Sequence, residues 1–277
     1  MLFGSPDLLL LKEAADRRAK NSDVSDALSG WFEGRPSLDV LDLHAGTGAT
    51  LRALVPILAP DQAWTLYART QSEEELARDH LTRWAPDART TDDGLFIERQ
   101  GQKIAVRFKR HDVVAAGGAL AEPPPDLVVI DDDLMRYPRD VIRRVVATLA
   151  NRRSVMHARL VYDGRLKLQP HHAADGAFTA ALHRRLMRDS GHGEATGPLA
   201  ANELAEQLRH SDYSVIEGPS PLHLRAAEAP LIRAVAKELA EAQRLVAKGH
   251  DRMIDTWLAR PRTTLEISQT DLVGLPP

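Results

Sequence analysis

The chain has 277 residues, 43% of them hydrophobic, no cysteine, and a formal net charge of −3, which suits one α/β domain with or without an extension. Disulfides and thiolate chemistry are excluded, and the slight acidity and 5% aromatic content argue against a nucleic-acid-binding surface. No apolar run is long enough to cross a membrane, and a chain without cysteine fits a reducing compartment, so we expect a cytoplasmic protein that binds neither nucleic acid nor membranes.

Two helices are predicted ahead of the first strand. Ser5-Pro6 is a helix-start signal, and the helix should run to about Lys20. A second helix should start near Ser22 and end at Gly34, with one apolar face formed by Val24, Leu28, Trp31 and Phe32. We therefore predict a helical cap over residues 1–36 and an α/β domain over residues 37–277.

The segment 38–51, LDVLDLHAGTGATL, is the most informative stretch of the chain. It indicates a buried strand, a turn of small residues and a helix, an arrangement that places a small-molecule pocket at the end of a first strand. No Gly-Lys-Ser/Thr follows, which excludes a Walker loop, and Leu51 stands where a dinucleotide fingerprint has its third small residue. A plain α/β crossover with a tight turn gives the same pattern and remains an alternative.

The remaining elements alternate between strands and helices. Helices are predicted to begin at a Ser72–Glu75 capping box and near Arg139, Asp175, Leu199 and Pro230. Further strands are predicted over 63–67, 95–98, 104–108, 127–130, 154–162, 213–216 and 264–267. This alternation indicates an α/β fold with a doubly wound, seven-stranded, mostly parallel sheet.

Three connections have distinct signals. Asp163-Gly164 predicts a hairpin between 160–162 and 165–168. Residues 122–125, Glu-Pro-Pro-Pro, predict a rigid loop. Asp131, Asp132 and Asp133 directly follow the predicted central strand 127–130. Neighbouring acids on an extended segment point to opposite sides, and the histidines His171, His172, His183 and His192 fit no standard zinc spacing, so we expect no metal site.

The string V-L-D-L-x-A-G-T-G, residues 40–48, resembles motif I of class I S-adenosylmethionine-dependent methyltransferases. A group of bacterial members without a defined substrate is similar over nearly the whole chain, through 160–164, His183, 193–198, 218–221, 257–260 and Asp271-Leu272. The resemblance implies a Rossmann-like methyltransferase fold and S-adenosylmethionine as cofactor. It implies that the cofactor is contacted by Asp42, His44, Ala45, Gly46, Thr47, Gly48, Ala68, Asp112 and Asp131.

The chain departs from the family pattern at three places. His44 replaces the first glycine of motif I, and Ala68 stands where an acid should accept hydrogen bonds from both ribose hydroxyls. Losing that acceptor would cost about 1.5–3 kcal/mol, or roughly ten- to a hundredfold or more in affinity. The triplet 131–133 is acidic where relatives carry small or apolar residues. The resemblance therefore leaves open whether the cofactor site has been lost.

Two functions follow. The first is methyl transfer to a small polar metabolite, with Asp131, Tyr162 and His183 as candidate catalytic residues. The second is a catalytically degenerate relative that acts as a binding or scaffolding subunit, toward a protein partner or a second copy of itself. A serine hydrolase is disfavoured because no G-x-S-x-G elbow is present. A dinucleotide oxidoreductase is disfavoured because it would also need the acid that Ala68 replaces.

Overall fold

The computed structural model describes residues 6–120 and 125–277. Its helices are α1 (Pro6–Ala19), α2 (Ser22–Trp31), α3 (Ala49–Leu54), α4 (Gln71–Trp84), α5 (Arg139–Arg152), α6 (Asp175–Leu186), α7 (Ala200–His210), α8 (Ala229–Val246) and α9 (Asp251–Leu258). Its strands are β1 (Ser37–Asp42), β2 (Asp61–Ala68), β3 (Arg89–Thr90), β4 (Gly94–Arg99), β5 (Gln102–Arg110), β6 (Leu127–Ile130), β7 (Val155–Gln169), β8 (Ser214–Pro219), β9 (Leu222–Leu224) and β10 (Thr264–Leu275).

All strands join one sheet in the order β3-β4-β5-β2-β1-β6-β7-β10-β8, with β9 also paired to β10. The five central strands, β5-β2-β1-β6-β7, are parallel, and both ends of the sheet are antiparallel. This confirms the predicted α/β fold with a mainly parallel central sheet. The sheet has ten strands rather than seven, because two- and three-residue strands such as β3 and β9 are too short for a periodic signal.

Central strands are apolar because the sheet is covered on both faces. All four residues of β6 are buried. Val128 and Ile130 pack with the helices α5, α7 and α8 in one core cluster, whereas Leu127 and Val129 pack with α2 and α4 in the other. A strand that buries both faces loses the alternation of polar and apolar residues. The continuous run 127–130 was for this reason a sound indicator of a central strand.

The predicted start of α2 near Ser22 is confirmed, whereas the capping box predicted for α4 is wrong. Asn21, not a residue within α2, caps that helix by accepting a hydrogen bond from the Val24 amide at 3.1 Å. Thr70 caps α4 by accepting from the Glu73 amide, so the proposed Ser72 capping box lies inside the helix. Trp31 does not share the buried face of α2, because its side chain lies at the last turn and is 42% exposed. Ser5 and residues 122–124 lie outside the described residues.

The predicted hairpin at Asp163-Gly164 is wrong. β7 runs without reversal from Val155 to Gln169, because the twelve-residue β10 pairs with it on both sides of this dipeptide. Tyr162 pairs with Gln269 and Leu166 with Ile267, so the extra residues form an irregularity in the ladder. Gly164 takes up the bend at φ +97°. A long partner strand therefore overrode the local turn signal.

The leader helices pack on the sheet rather than standing apart from it. α1 contacts β9 and α8, and α2 contacts β8 and β10. The division of the chain at residue 36 remains a prediction. Over the described ranges, no helix combines the length and apolar character needed to cross a membrane.

Among the described residues, no helix covers one sheet face beside β1, β2 and β5. The described parts of the β5–β6 connection, residues 111–120 and 125–126, contain no helix. Asp39, Ala63 and Ala105, which are neighbours across the three strands, are exposed. They line a shallow depression of about 450 Å³ together with Phe96 and Thr65.

Candidate functional site

The glycine turn lies at the carboxyl end of β1, as predicted. Gly46 and Gly48 adopt φ values of +50° and +75°, a region that favours glycine. Gly48 also lies against α4, where a Cβ atom would come within 2.9 Å of Leu81. The Ala45 amide donates to the Tyr67 carbonyl at 2.7 Å, which ties the turn to the end of β2. The turn is therefore rigid and closely packed.

Asp42 is completely buried just before the turn. Its Oδ1 accepts a hydrogen bond from the His44 amide at 3.1 Å, whereas its Oδ2 has no partner. Burial, reinforced by the nearby Asp131 carboxylate, raises the pKa of Asp42 to about 8. At neutral pH this group is mainly a neutral carboxylic acid.

His44 fills the space in front of the turn. Its side chain is 2% exposed, and Nδ1 lies 3.2 Å from Oδ1 of Asp131. Burial favours the neutral ring, but the carboxylates of Asp133 and Asp131 outweigh burial and raise the pKa of His44 to about 10. Burial alone would raise the pKa of Asp131, but the nearby His44 outweighs this effect, so the pKa of Asp131 is lowered overall. The two residues form a partly buried ion pair across the ends of β1 and β6, because the Asp131 side chain is 28% exposed.

Arg69 closes the cleft from the other side. It follows β2, and its guanidinium donates to Asp133 at 3.0 Å and to Glu73 Oε1 at 2.9 Å. A third nitrogen lies 3.4 Å from Nε2 of His44. Arg136 donates to the other oxygen of Asp133 at 3.0 Å. A continuous set of charged hydrogen bonds thus links the ends of β2, β1 and β6.

Helix α1 covers the turn from outside. Glu13 pairs with Arg52 of α3 and accepts from the Thr47 hydroxyl at 3.3 Å. Lys12 pairs with Asp16 at 2.8 Å. What remains between α1, the turn and the ends of β6 and β7 is a cavity of about 50 Å³.

The predicted catalytic residues do not converge. Asp131 lines the 50 Å³ cavity, but Tyr162 and His183 do not. Instead, the Tyr162 hydroxyl and His183 Nε2 are 3.0 Å apart, in a contact between β7 and α6. Tyr162 is fully buried. Asp112 lies beyond β5, where it accepts from the Val114 amide at 2.9 Å and pairs with Arg136 at 3.3 Å.

These residues do not fit S-adenosylmethionine as they stand. A pocket for a ligand of drug size typically has roughly 300–1,000 Å³, far more than the 50 Å³ left here. Ala68 is buried at the end of β2 and offers no carboxylate to a ribose. Glu73 does reach this strand end, but it accepts from the Arg69 amide at 2.8 Å and from the Arg69 side chain, so it is already used.

Sequence reasoning named His44 and Asp131 as site residues, but it did not predict that they pair with each other or that Arg69 binds Asp133. The i, i+4 spacing of Arg69 and Glu73 could have indicated their ion pair. The Arg69–Asp133 and His44–Asp131 pairs join residues 64 and 87 positions apart, and no local pattern reports such contacts. Arg159, on β7, also lines the cavity and was not singled out.

No protein-family model and no curated protein sequence matches this chain. Solved structures do match. The YcgJ protein from Bacillus subtilis is 14% identical, with 92% of this chain and 99% of that chain covered and a TM-score of 0.52. A cyclopropane-fatty-acyl-phospholipid synthase-like protein from Lactobacillus casei is 12% identical, with 95% and 92% covered and a TM-score of 0.51.

The matched structures include S-adenosylmethionine-dependent methyltransferases. One, from Thiobacillus denitrificans in complex with S-adenosyl-L-homocysteine, is 13% identical, with 98% of this chain and 99% of that chain covered and a TM-score of 0.44. At such identities, structural likeness speaks to the fold and not to the activity. The chain therefore shares its overall architecture, a Rossmann-like α/β fold, with the two structures that match at TM-scores of 0.52 and 0.51.

Proposed function

We propose that this chain is a methyltransferase-like protein that no longer holds S-adenosylmethionine and acts as a binding or scaffolding subunit. The observation that carries the proposal is the set of partly buried ion pairs, His44 with Asp131 and Arg69 with Asp133, across the strand ends. A bound nucleoside would have to break both pairs. Breaking a fully buried pair costs about 3–5 kcal/mol. These pairs are only partly buried, so we expect a smaller cost, which would weaken cofactor binding roughly tenfold or more.

Calorimetric titration with S-adenosylhomocysteine tests the loss of the cofactor site. We expect no saturable heat at millimolar concentration with the natural chain. A triple variant, His44→Gly, Ala68→Asp and Asp131→Ser, removes the His44–Asp131 pair, restores the missing carboxylate and keeps a small acceptor at position 131, so that only the Arg69–Asp133 pair remains to be broken. It should bind at least tenfold more tightly. As a matched control, Ala116→Asp adds one carboxylate at an exposed position outside the cleft. Micromolar binding by the natural chain would refute the proposal.

The open sheet face supports a binding role. Its middle row runs from Asp39 on β1 through Ala63 and Ala105 to Phe96 on β4, where the Arg89 guanidinium lies 4.8 Å from the ring centroid. An acid thus stands at one end of a small, flat apolar row and a base at the other. Two copies related by a two-fold axis parallel to the strands would place each Asp39 opposite the partner copy's basic end. We therefore propose a homodimer through this face.

Sedimentation equilibrium tests the dimer independently of the cofactor. We expect Asp39→Arg to shift the chain toward monomer by placing like charges opposite each other. Adding Arg89→Asp should restore the dimer, because the two charges are then exchanged. Arg143→Glu on the exposed face of α5 should have no effect. A natural chain that stays monomeric at all concentrations, or a charge exchange without rescue, would contradict the proposed interface.

Methyl transfer to a small polar metabolite remains the second candidate. It is favoured by the retained motif-I strand and glycine turn with Asp42, and by Asp112 beyond β5. In that function Arg69 would first have to swing away from Asp133 to free the strand ends. Saturable binding of S-adenosylhomocysteine by the natural chain, abolished by replacing Asp42 with Lys, would favour this candidate over the first.

A further inference from the structure

Arg159 is a buried charge without a visible counter-charge. It lies at the end of the parallel part of β7, is 7% exposed, and lines the cavity beside the glycine turn. None of the hydrogen bonds or ion pairs within residues 6–120 and 125–277 involves its guanidinium, although Asp42 lies close enough to interact with it electrostatically. The other cations that line or border this cavity are paired, Lys12 with Asp16, Arg52 with Glu13 and His44 with Asp131.

The nearest acids do not supply the missing charge. Asp42 is mainly protonated at neutral pH because burial and Asp131 raise its pKa to about 8. Burial and Asp131 also raise the pKa of Asp132. Asp131 itself is already paired with His44. Burying an unpaired charge in a protein is strongly unfavourable. We therefore expect an anion from the solution to bind the guanidinium.

The backbone holds Arg159 in place. The next residue, Leu160, has φ +56°, which is strained for a branched apolar side chain. Its amide donates to Asp271 at 2.6 Å, and its carbonyl accepts from Gln269 at 2.9 Å. Two buried side chains of β10 thus fix the peptide that follows Arg159, and the arginine cannot leave the cavity by a shift of the strand.

We propose that Arg159 binds a small monocarboxylate, of the size of acetate, in this cavity. A cavity needs roughly 10–15 Å³ for each group of the size of a water molecule. The cavity of about 50 Å³ therefore holds about four such groups, and acetate has four non-hydrogen atoms. A guanidinium fork binds a carboxylate with two parallel hydrogen bonds. Thr50, which is buried and lines the same cavity, adds a hydroxyl.

The same surroundings disfavour a dianion. The Asp131 carboxylate lines the cavity with Arg159, and a second negative charge on the ligand would face it without a further free cation in the described part of the site. Phosphate and sulfate should therefore bind more weakly than acetate. This inference does not depend on the dimer, but it rests on the proposed loss of the nucleoside, because His44, Gly46 and Asp131 of the expected cofactor site line the same cavity.

Titration of the natural chain with ¹³C-labelled acetate, followed by NMR at constant ionic strength in sodium chloride, tests the site directly. We expect saturable binding, and a rise in thermal unfolding temperature with acetate concentration. Arg159→Met should weaken acetate binding at least tenfold, and Arg159→Lys should weaken it less, because it keeps the charge but loses the fork. Arg143→Met, which removes an exposed arginine of α5, should change nothing.

Several results would overturn the inference. If the natural chain shows no saturable acetate binding, water alone solvates Arg159 and no anion site exists. This result is obtained with the natural chain, so it does not depend on whether a variant folds. Equal binding by Arg159→Met would place the acetate elsewhere. Phosphate binding as tight as acetate binding would refute the monocarboxylate preference. None of these outcomes changes the expected titration with S-adenosylhomocysteine, so the two proposals fail separately.

Discussion

Replacing Asp42 with asparagine should stabilise the protein in a pH-dependent way. The buried carboxyl has an unpartnered Oδ2, and burial together with Asp131 raises its pKa to about 8. In the unfolded chain an aspartate ionises near pH ~3.9. Between these two values the folded protein keeps a proton that the unfolded chain has released. A raised acid pKa therefore means that stability falls as pH rises across this window and is level above it.

The size of the effect follows from the two pKa values. One proton contributes about 1.4 kcal/mol per pH unit, so a window of about four units gives an upper estimate of about 5 kcal/mol at pH 8. Asparagine has the shape of the protonated acid. Its oxygen can still accept from the His44 amide, and its NH₂ group replaces the orphaned oxygen with a donor near the Asp131 carboxylate. We expect Asp42→Asn to raise the unfolding free energy by about 2–5 kcal/mol at pH 8 and to lose most of that gain at about pH 4.

Urea unfolding at a series of pH values, followed by tryptophan fluorescence, measures this difference. The buried Trp64 on the neighbouring strand β2 provides the signal. Asp61→Asn is the matched control, because Asp61 is an exposed residue at the start of the neighbouring strand β2 and its replacement should give no pH-dependent gain. If Asp42→Asn destabilises at pH 8, or gives the same change at both pH values, Asp42 is ionised in the folded protein and our account of the site is wrong.

Three further predictions concern stability and use the same unfolding assay. The pKa of His44 is about 10 in the folded protein and about 6.5 in the unfolded chain. Its protonation therefore stabilises the fold fully below about pH 6.5, and this stabilisation is lost as the pH rises to about 10. Between pH 8 and 10 the natural chain should lose stability that a His44→Gln variant does not lose. Asp271→Ala should lower the free energy of unfolding by about 3–5 kcal/mol, because Asp271 accepts hydrogen bonds from the Leu160 amide and from two other donors. Asp271→Asn should lower the free energy of unfolding less. Arg153→Gly should stabilise by about 0.5–1 kcal/mol because Arg153 caps α5 at φ +53°, whereas Arg143→Gly inside α5 should destabilise by a similar amount.

The sequence predicted those features that depend on local patterns. The run Leu127–Ile130 is a central parallel strand, and the segment 38–51 is a strand, turn and helix, because burial on both faces and glycine at positive φ leave a direct mark on residue choice. The local pattern gave a wrong prediction where pairing with a distant strand determines the structure. Asp163-Gly164 carries a hairpin signal, but β10 pairs across it and keeps β7 as one strand.

The closed cleft shows the same limit more sharply. His44, Ala68 and the acids 131–133 look like separate departures from the family pattern when read along the chain. In three dimensions they are complementary: the two bases, His44 and Arg69, meet the two acids, Asp131 and Asp133. Removing one partner would leave His44 or Asp131 without its ion pair in a partly buried site, which is unfavourable, whereas Arg69 would keep Glu73 and Asp133 would keep Arg136. Under the proposed loss of the cofactor, changing His44 or Asp131 alone to the family's residue should therefore destabilise the protein before it frees the strand ends, and cofactor binding should return only when both members of the pair are changed together.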